Sequence, residues 1–169
     1  MQVRCAKCGV LHDIATLEPS LIRPDAYLAV PPAERGQRTH ASSDFCVVRD
    51  HADARRWFVR VLVPVPVRGL ARPCCWGIWC EVSAADYAKI MLLWNDPDQC
   101  RHAPFPATLA NDIDGYPPTS ALPGALRFVD PNQIPRFEFA PEAHHPFVDE
   151  VRHGVAPERV LEWLAPYLH

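Results

Sequence analysis

The residues best suited to chemistry lie at the start of the chain, where two cysteines are separated by two residues. Cys5 and Cys8 can turn both thiolates toward one ion, and Gly9 permits the left-handed backbone that such a tight turn requires. His12 follows closely enough to reach the same ion if the chain curls back. Zinc prefers four tetrahedral ligands from thiolate and imidazole groups, so this spacing predicts a zinc site.

The fourth ligand must come from elsewhere, because the chain has no second Cys-x-x-Cys motif. Cys46 at the start of a predicted strand is the favoured candidate, since it would join the N-terminal knuckle to a sheet. His40 and His145 are the alternatives. Four protein ligands would make the zinc structural. The predicted ligand set is Cys5, Cys8, His12 and Cys46.

Two other kinds of chemistry stay open at this motif. With three protein ligands, Cys5, Cys8 and either His12 or Cys46, the zinc would keep an open position. Asp13 or Asp44 could then act as the general base of a hydrolase. Two thiolates make zinc a poorer Lewis acid and no HExxH motif is present, which favours the structural role. A metal-free Cys5–Cys8 pair would instead be a thiol redox site. That site needs a helix beginning at the second cysteine, and Gly9 and its successors do not resemble one.

Composition limits the class of protein. A chain of 169 residues fits one domain, with residues 1–50 supplying the knuckle and first strand and residues 51–169 the hairpins and helices. The net charge is -3 and lysine occurs only at Lys7 and Lys89, which argues against nucleic-acid binding. Seven cysteines, an odd number, favour reduced thiols or metal ligands over a disulfide framework. Without an apolar signal or membrane-spanning run, the protein is predicted to be cytoplasmic.

Alternating apolar residues predict several strands. Residues 57–67 give the strongest signal, and Cys74–Val82 alternate in the same way, so the two should pair as an antiparallel hairpin. Phe45–Arg49 reads as a shorter strand. Residues 125–129 and 136–140 predict a second hairpin. Gly77, between two tryptophans, is expected to let an indole or another backbone approach closely.

Three helices are predicted from their start signals. Ser83 with Asp86 forms a capping-box variant before a helix, and Pro146 and Pro157 begin two more. His144 and His145 could bind metal or begin the second helix, and helix entry is the favoured interpretation. The expected apolar stripe of the first helix is Tyr87, Ile90, Met91 and Trp94. The expected buried residues of the last are Val160, Trp163, Leu164 and Tyr167.

Two regions lack clear periodicity. Residues 19–38 are rich in proline and predicted to be irregular, and residues 97–124 are loop-rich with one short element at 108–113. The second region carries a polar cluster of Asn111, Asp112, Asp114 and Tyr116. The whole pattern predicts an α+β fold: an antiparallel sheet of about four or five strands with packed helices and an N-terminal zinc knuckle.

Several short motifs occur together in order along the chain. They include Cys5-x-x-Cys8-Gly9-x-x-His12, Trp76-Gly77-Ile78-Trp79, Leu109-Ala110-Asn111, Gly115-Tyr116-Pro117-x-Thr119, His145-Pro146 and Gly154-Val155. In these motifs the chain resembles the bacterial family called domain of unknown function 2199, over nearly its whole length. The resemblance implies the grouping of the motifs and no particular activity. One departure is the run from His144 to Asp149, where the family pattern has a single His-Pro followed by Leu-Ala.

The sequence therefore predicts an uncharacterised bacterial protein that acts as a binding or interaction domain stabilised by structural zinc. Its partner would be a protein or a small-molecule ligand that the sequence does not identify. A zinc-dependent hydrolase and a thiol redox protein are the alternatives.

Overall fold

The computed structural model describes residues 2–4, 10–13 and 18–165, with only the backbone described in residues 2–4 and 11–13. Within these residues the strands are β1 (Gln2–Arg4), β2 (Leu11–Asp13), β3 (Thr39–Ala41), β4 (Phe45–Arg49), β5 (Arg55–Val65), β6 (Cys74–Val82), β7 (Phe105–Leu109), β8 (Pro123–Arg127) and β9 (Arg136–Phe139). The helices are α1 (Asp25–Leu28), α2 (Pro32–Arg38), α3 (Ala84–Leu93), α4 (Pro146–His153) and α5 (Pro157–Leu164).

The main sheet follows chain order from β3 to β9, and each strand pairs with the next in the antiparallel direction. β5 and β9 also meet, in parallel, where Leu62 lies opposite Arg136. This contact closes strands β5 to β9 into a five-stranded barrel, while β3 and β4 extend the sheet beyond β5. β1 and β2 pair separately.

The predicted α+β class is confirmed, but the predicted sheet of four or five antiparallel strands is wrong. The main sheet of the described residues has seven strands, five of them in a closed barrel, and one pairing is parallel. Closure joins strands that are far apart in the sequence, and no local pattern marks such a pairing. The N-terminal zinc knuckle depends on Cys5 and Cys8, which lie outside the described residues.

The predicted hairpin of β5 and β6 is confirmed and supplies the centre of the core. Val59, Val61 and Val63 are fully buried on one face of β5, opposite Cys80, Ile78 and Trp76 of β6. Burying each such aliphatic side chain stabilises the fold by about 1.5–3 kcal/mol. A second, smaller core lies on the other face of the sheet. It consists of Val30, Cys46, Val48, Phe58, Trp79 and Ala110.

The capping box of α3 is confirmed, since Ser83 Oγ accepts the Asp86 N–H at 3.1 Å and donates to Asp86 Oδ2 at 2.8 Å. The apolar stripe is confirmed for Tyr87 and Ile90, which are buried. The prediction is wrong for Met91, because its side chain is 52% exposed. Met91 directly follows the buried Ile90, and one residue of an α-helix rotates the side chain by about 100°, which places Met91 on the solvent side.

Two regions depart from the sequence prediction. Residues 19–38 contain α1 and α2, each preceded or begun by proline, a residue that fits the first turn of a helix. The short element predicted at 108–113 is strand β7, which begins earlier at Phe105. Pro106 lies inside that strand.

Candidate binding groove along strand β7

Strands β6 and β7 stay together for only two residue pairs, Cys80 with Leu109 and Glu81 with Thr108. β6 ends one residue later, at Val82, and the chain enters α3 at Ala84, so the first residues of β7 have no partner in β6. On the other side of the paired stretch, β7 ends and the chain enters the β7–β8 loop. The two strands therefore separate at both ends, and other parts of the chain fill or border the gaps.

Asn111 completes the sheet at the point where β7 leaves β6. Ala110 N–H donates to the Trp79 carbonyl at 2.9 Å, but the Ala110 carbonyl accepts from Asp25 N–H instead of from Trp79. The Trp79 N–H donates to Asn111 Oδ1 at 2.9 Å, so a side chain replaces the missing backbone acceptor. Asn111 Nδ2 donates to the Arg23 carbonyl and to Asp25 Oδ1, each at 2.9 Å. Asn111 is fully buried and its hydrogen-bonding groups are satisfied.

The β7–β8 loop is held by further bonds between side chains and backbone. The buried Thr119 hydroxyl donates to the Asn111 carbonyl at 2.7 Å and accepts the Ile113 N–H at 2.9 Å. Asp112 Oδ1 accepts the Ser120 N–H at 2.8 Å. This hydrogen bond lowers the pKa of the Asp112 carboxyl, because it favours the ionised form. The loop is thus fixed, with a carboxylate on its surface.

The segment before α1 docks on β6 at Gly77, which confirms the expected close backbone approach. Gly77 N–H donates to the Pro19 carbonyl at 2.9 Å, and Leu21 N–H donates to the Gly77 carbonyl at 2.8 Å. A Cβ atom on Gly77 would lie 2.7 Å from Ser20 Oγ. The indole N–H of Trp79 also donates to the Leu21 carbonyl, at 3.1 Å. Glycine is therefore required here for a neighbouring segment, which brings Asp25 to the end of β7.

A continuous groove runs along the outer side of β7 between these two ends. It consists of three hollows of about 410, 540 and 270 Å³. The first and second share Asp86 and Pro106, and the second and third share Glu81 and Thr108. We call this feature the β7 groove. At its α3 end it is bordered by Leu92, whose side chain is 84% exposed.

The β7 groove carries an excess of negative charge. Two cationic side chains line it, Arg56 and Lys89, against five carboxylates. Arg56 donates to both oxygens of Glu81, at 2.8 and 2.6 Å. Lys89 is 3.7 Å from Asp86, and its side chain is 65% exposed. The groove therefore keeps carboxylates that no cation in its lining neutralises. The five are Asp25, Glu81, Asp86, Asp112 and Glu142.

On the far side of the same loop, Tyr116 joins α4 and α5. Its hydroxyl donates to a carboxylate oxygen of Glu150 and accepts the Trp163 indole N–H at 2.9 Å. Arg159 donates to the other oxygen of Glu150 at 3.0 Å and lies 5.1 Å from the centre of the Tyr116 ring. Burial, followed by the neighbouring Glu150, raises the pKa of Tyr116 above its ordinary value. This cluster anchors the loop to the helices.

The described residues do not test the predicted zinc ligands as a set. Cys5 and Cys8 lie outside them, as does the side chain of His12. Cys46 is fully buried in the smaller core. Burial raises the pKa of the Cys46 thiol to about 11, and the nearby Arg23 charge lowers it in part. Among the residues that the structure describes, no group of three His, Cys, Asp or Glu side chains is arranged to hold a metal ion.

The structure does describe the alternative ligands. His40 is opposite Val47 in the β3–β4 register, so it lies on the face of the sheet opposite to Cys46. His145 caps α4, as predicted: its Nδ1 accepts an N–H of the first turn at 3.1 Å, and its Nε2 is 3.2 Å from the Pro117 carbonyl. Both ring nitrogens of His145 are therefore engaged.

The two candidate general bases gain no support from their described surroundings. The side chain of Asp13 lies outside the described residues. Asp44 belongs to the β3–β4 turn, where it accepts from the Ser43 hydroxyl at 2.6 Å, and it does not line the β7 groove. The sequence prediction missed Asp25 and Glu81, because each is separated in the chain from the loop that it borders.

The fold and the groove define an α+β protein with a closed barrel and an acidic surface groove. The chain belongs to the family DUF2199, described as an uncharacterized protein conserved in bacteria, which matches residues 4–155. The resemblance seen in the sequence is thereby confirmed. Comparisons with curated proteins and with solved structures give no match. None of the helices described is both long and apolar enough to cross a membrane.

Proposed function

We propose that this protein is a non-enzymatic interaction domain that holds an extended, basic segment of a partner protein in the β7 groove. The observation that carries the proposal is the continuity of the groove together with its charge. Three connected hollows give an elongated site, and five carboxylates face two cations along it. Complementary charge steers association and fixes the register of a bound chain.

The groove is suited to recognise side chains rather than to add a strand. The backbone N–H and carbonyl of Leu109 form hydrogen bonds on the β8 side of β7, and the N–H of Ala110 forms one on the β6 side. Because the bonding side alternates from residue to residue, the backbone nitrogen of Pro106 is on the β6 side, where the groove lies. Proline has no N–H to donate to an incoming strand. Asp25 Oδ2 accepts the Asp112 N–H at 2.6 Å. A backbone group therefore holds the Asp25 carboxylate in position before any partner arrives. Such preorganisation lowers the entropic cost of binding.

The proposal can be tested with a fluorescent synthetic peptide of alternating lysine and leucine and a counterpart of alternating glutamate and leucine. We expect the basic peptide to bind, the acidic one not to bind, and affinity to fall with ionic strength. Glu142→Gln and Leu92→Ser should each weaken binding severalfold. The first removes a carboxylate that forms no ion pair with the residues described, and the second removes an apolar contact. Fluorescence anisotropy gives the affinities.

Matched controls lie outside the groove. Glu158→Gln removes an exposed carboxylate of α5, and Leu28→Ser removes a leucine that is 55% exposed on α1. Both should leave the affinity unchanged. Equal binding of the acidic peptide, or equal loss in the control variants, would contradict the proposal.

We also propose that Cys5, Cys8, His12 and Cys46 hold a structural zinc ion in a cytoplasmic protein. The spacing of the first three residues supports the metal, and the cysteine content supports a reducing compartment. The complete burial of Cys46 supports a closed site, because it leaves that ligand no access to solvent. His40 and His145 are less suitable, for the geometric reasons given above.

Elemental analysis of the purified protein should find about one zinc per chain. Cys46→Ser should lose metal and stability, whereas Cys100→Ser, at an exposed cysteine, should lose neither. Full metal content in Cys46→Ser would remove Cys46 from the set. Metal with a hydrolysable bound water would favour the zinc-dependent hydrolase. A metal-free, readily oxidised Cys5–Cys8 pair would favour the thiol redox protein.

A further inference from the structure

A separate hollow of about 310 Å³ lies away from the β7 groove, where β3, β4 and β5 meet the end of α2. Its charge is positive, whereas that of the β7 groove is negative. Its lining includes Arg38, Arg49 and Arg55, together with His40, and contains no carboxylate. Trp57 supplies an aromatic wall. The hollow therefore combines several cationic groups with one flat apolar surface.

The arginines of this hollow are only partly neutralised. Arg38 is paired with Glu34 at 2.7 Å. Arg49 is 3.3 Å from Asp53, whose side chain is 74% exposed, so solvent screens that pair. Arg55 forms no ion pair with any of the residues described. The positive charge of Arg55 is therefore not neutralised by any of these residues.

The strand register makes this charge unfavourable in the absence of a ligand. Arg49 and Arg55 are directly opposite each other in the β4–β5 pair, and like charges in that position destabilise a sheet. Arg49 is held in place, since its guanidinium donates to the Gln37 carbonyl at 2.7 Å. An anion between the two arginines would relieve the repulsion and find one of its donors already positioned.

We propose that this hollow binds the phosphate group of a small phosphate monoester. Guanidinium groups match the oxygens of phosphate with paired N–H donors, so Arg49 and Arg55 would contact the phosphate. In the sheet register His40, Val47 and Trp57 lie in one row across three strands. That row offers an apolar and aromatic surface to the organic group that carries the phosphate.

The test compares adenosine monophosphate, inorganic phosphate and adenosine as ligands by isothermal titration calorimetry at low ionic strength. We expect the monophosphate to bind more tightly than inorganic phosphate, and adenosine not to bind. Arg55→Gln should weaken monophosphate binding about tenfold or more, and Arg55→Lys by less, because lysine keeps the charge without the planar fork. Arg72→Gln, at an exposed arginine of the β5–β6 turn, should have no effect.

Thermal melting gives a second readout. Without ligand, Arg55→Gln should melt no lower than the wild type, because the substitution removes the repulsion. Added monophosphate should raise the melting temperature of the wild type more than that of Arg55→Gln. Equal binding of adenosine and its monophosphate, or an equal effect of Arg72→Gln, would overturn the proposal. Tighter binding of a single-stranded oligonucleotide than of the monophosphate would also overturn it.

Discussion

The β7–β8 loop is fixed by hydrogen bonds both at its start and at its middle, but by bonds of different kinds. At its start Asn111 bonds mainly to backbone groups of β6 and of the segment before α1, in a fully buried position. At its middle Tyr116 bonds to the side chains of Glu150 and Trp163, in a partly buried position. The first arrangement completes the sheet, whereas the second joins the loop to helices that already have their own backbone bonds.

This difference indicates which of the two positions, Asn111 or Tyr116, contributes more to specifying the fold. A backbone N–H in a dry interior has no alternative partner if a side-chain acceptor is removed, so its full desolvation penalty remains. The carboxylate of Glu150 would keep its bond to Arg159 if the tyrosine hydroxyl were lost, and water could approach it. We therefore expect equally small changes at Asn111 and at Tyr116 to cost unequal amounts of stability.

The largest effect is expected at Asn111. Asn111→Ala removes three hydrogen bonds and leaves the buried Trp79 N–H unpaired, so we expect a loss of about 3 kcal/mol in the free energy of unfolding. Urea denaturation measures this loss. Asn132→Ala, at an exposed asparagine of the β8–β9 turn, is the matched control and should cost less than about 0.5 kcal/mol. Similar losses in the two variants would contradict the role of Asn111 in the sheet.

A smaller effect is expected at Tyr116. Tyr116→Phe keeps the ring and removes one hydroxyl, so we expect a loss of about 1–2 kcal/mol. Tyr27→Phe is the control, because no hydrogen bond of the Tyr27 hydroxyl is found among the described residues. A loss of stability at Tyr116 as large as that at Asn111 would mean that the two positions are equally important to the fold.

The same variant should also change the response to alkaline pH. The folded-state pKa of Tyr116 is raised above the value of about 10 in an unfolded chain. The unfolded state therefore releases this proton first, and stability falls as the pH rises above about 10. Tyr116→Phe should lose less stability than the wild type over that range. Unfolding midpoints measured across the range provide the test, and parallel curves would exclude the contribution of Tyr116.

The sequence was sufficient for the local parts of this fold. The β5–β6 hairpin follows from alternation, and the Ser83 cap and the helix starts at Pro146 and Pro157 follow from residue types at fixed positions. Barrel closure could not be predicted, because it depends on Leu62 meeting Arg136 across a long stretch of chain. Such a pairing is decided by the packing of the whole barrel.

The candidate site shows the same limit. Asn111 and Asp112 were recognised as polar loop residues, but a density of Asn, Asp, Gly and Pro is typical of any turn. The role of Asn111 depends on the backbone of Trp79, and the β7 groove depends on Asp25 and Glu81. Only the folded chain brings these residues together.

The smallest effect is expected at Asp112, which directly follows Asn111. This substitution tests whether the exposure of a side chain, rather than its position in the loop, determines how much stability its loss costs. Its carboxylate accepts the Ser120 N–H at the surface, and its pKa is lowered from an ordinary value of about 4. The stabilisation is therefore present above that value and is lost as the pH falls through the folded-state pKa. Asp112→Asn should lower the urea midpoint slightly at neutral pH, and by progressively less as the pH falls below about 4. A large loss, independent of pH, would mean that the surface of the loop is as important to the fold as the buried Asn111 beneath it.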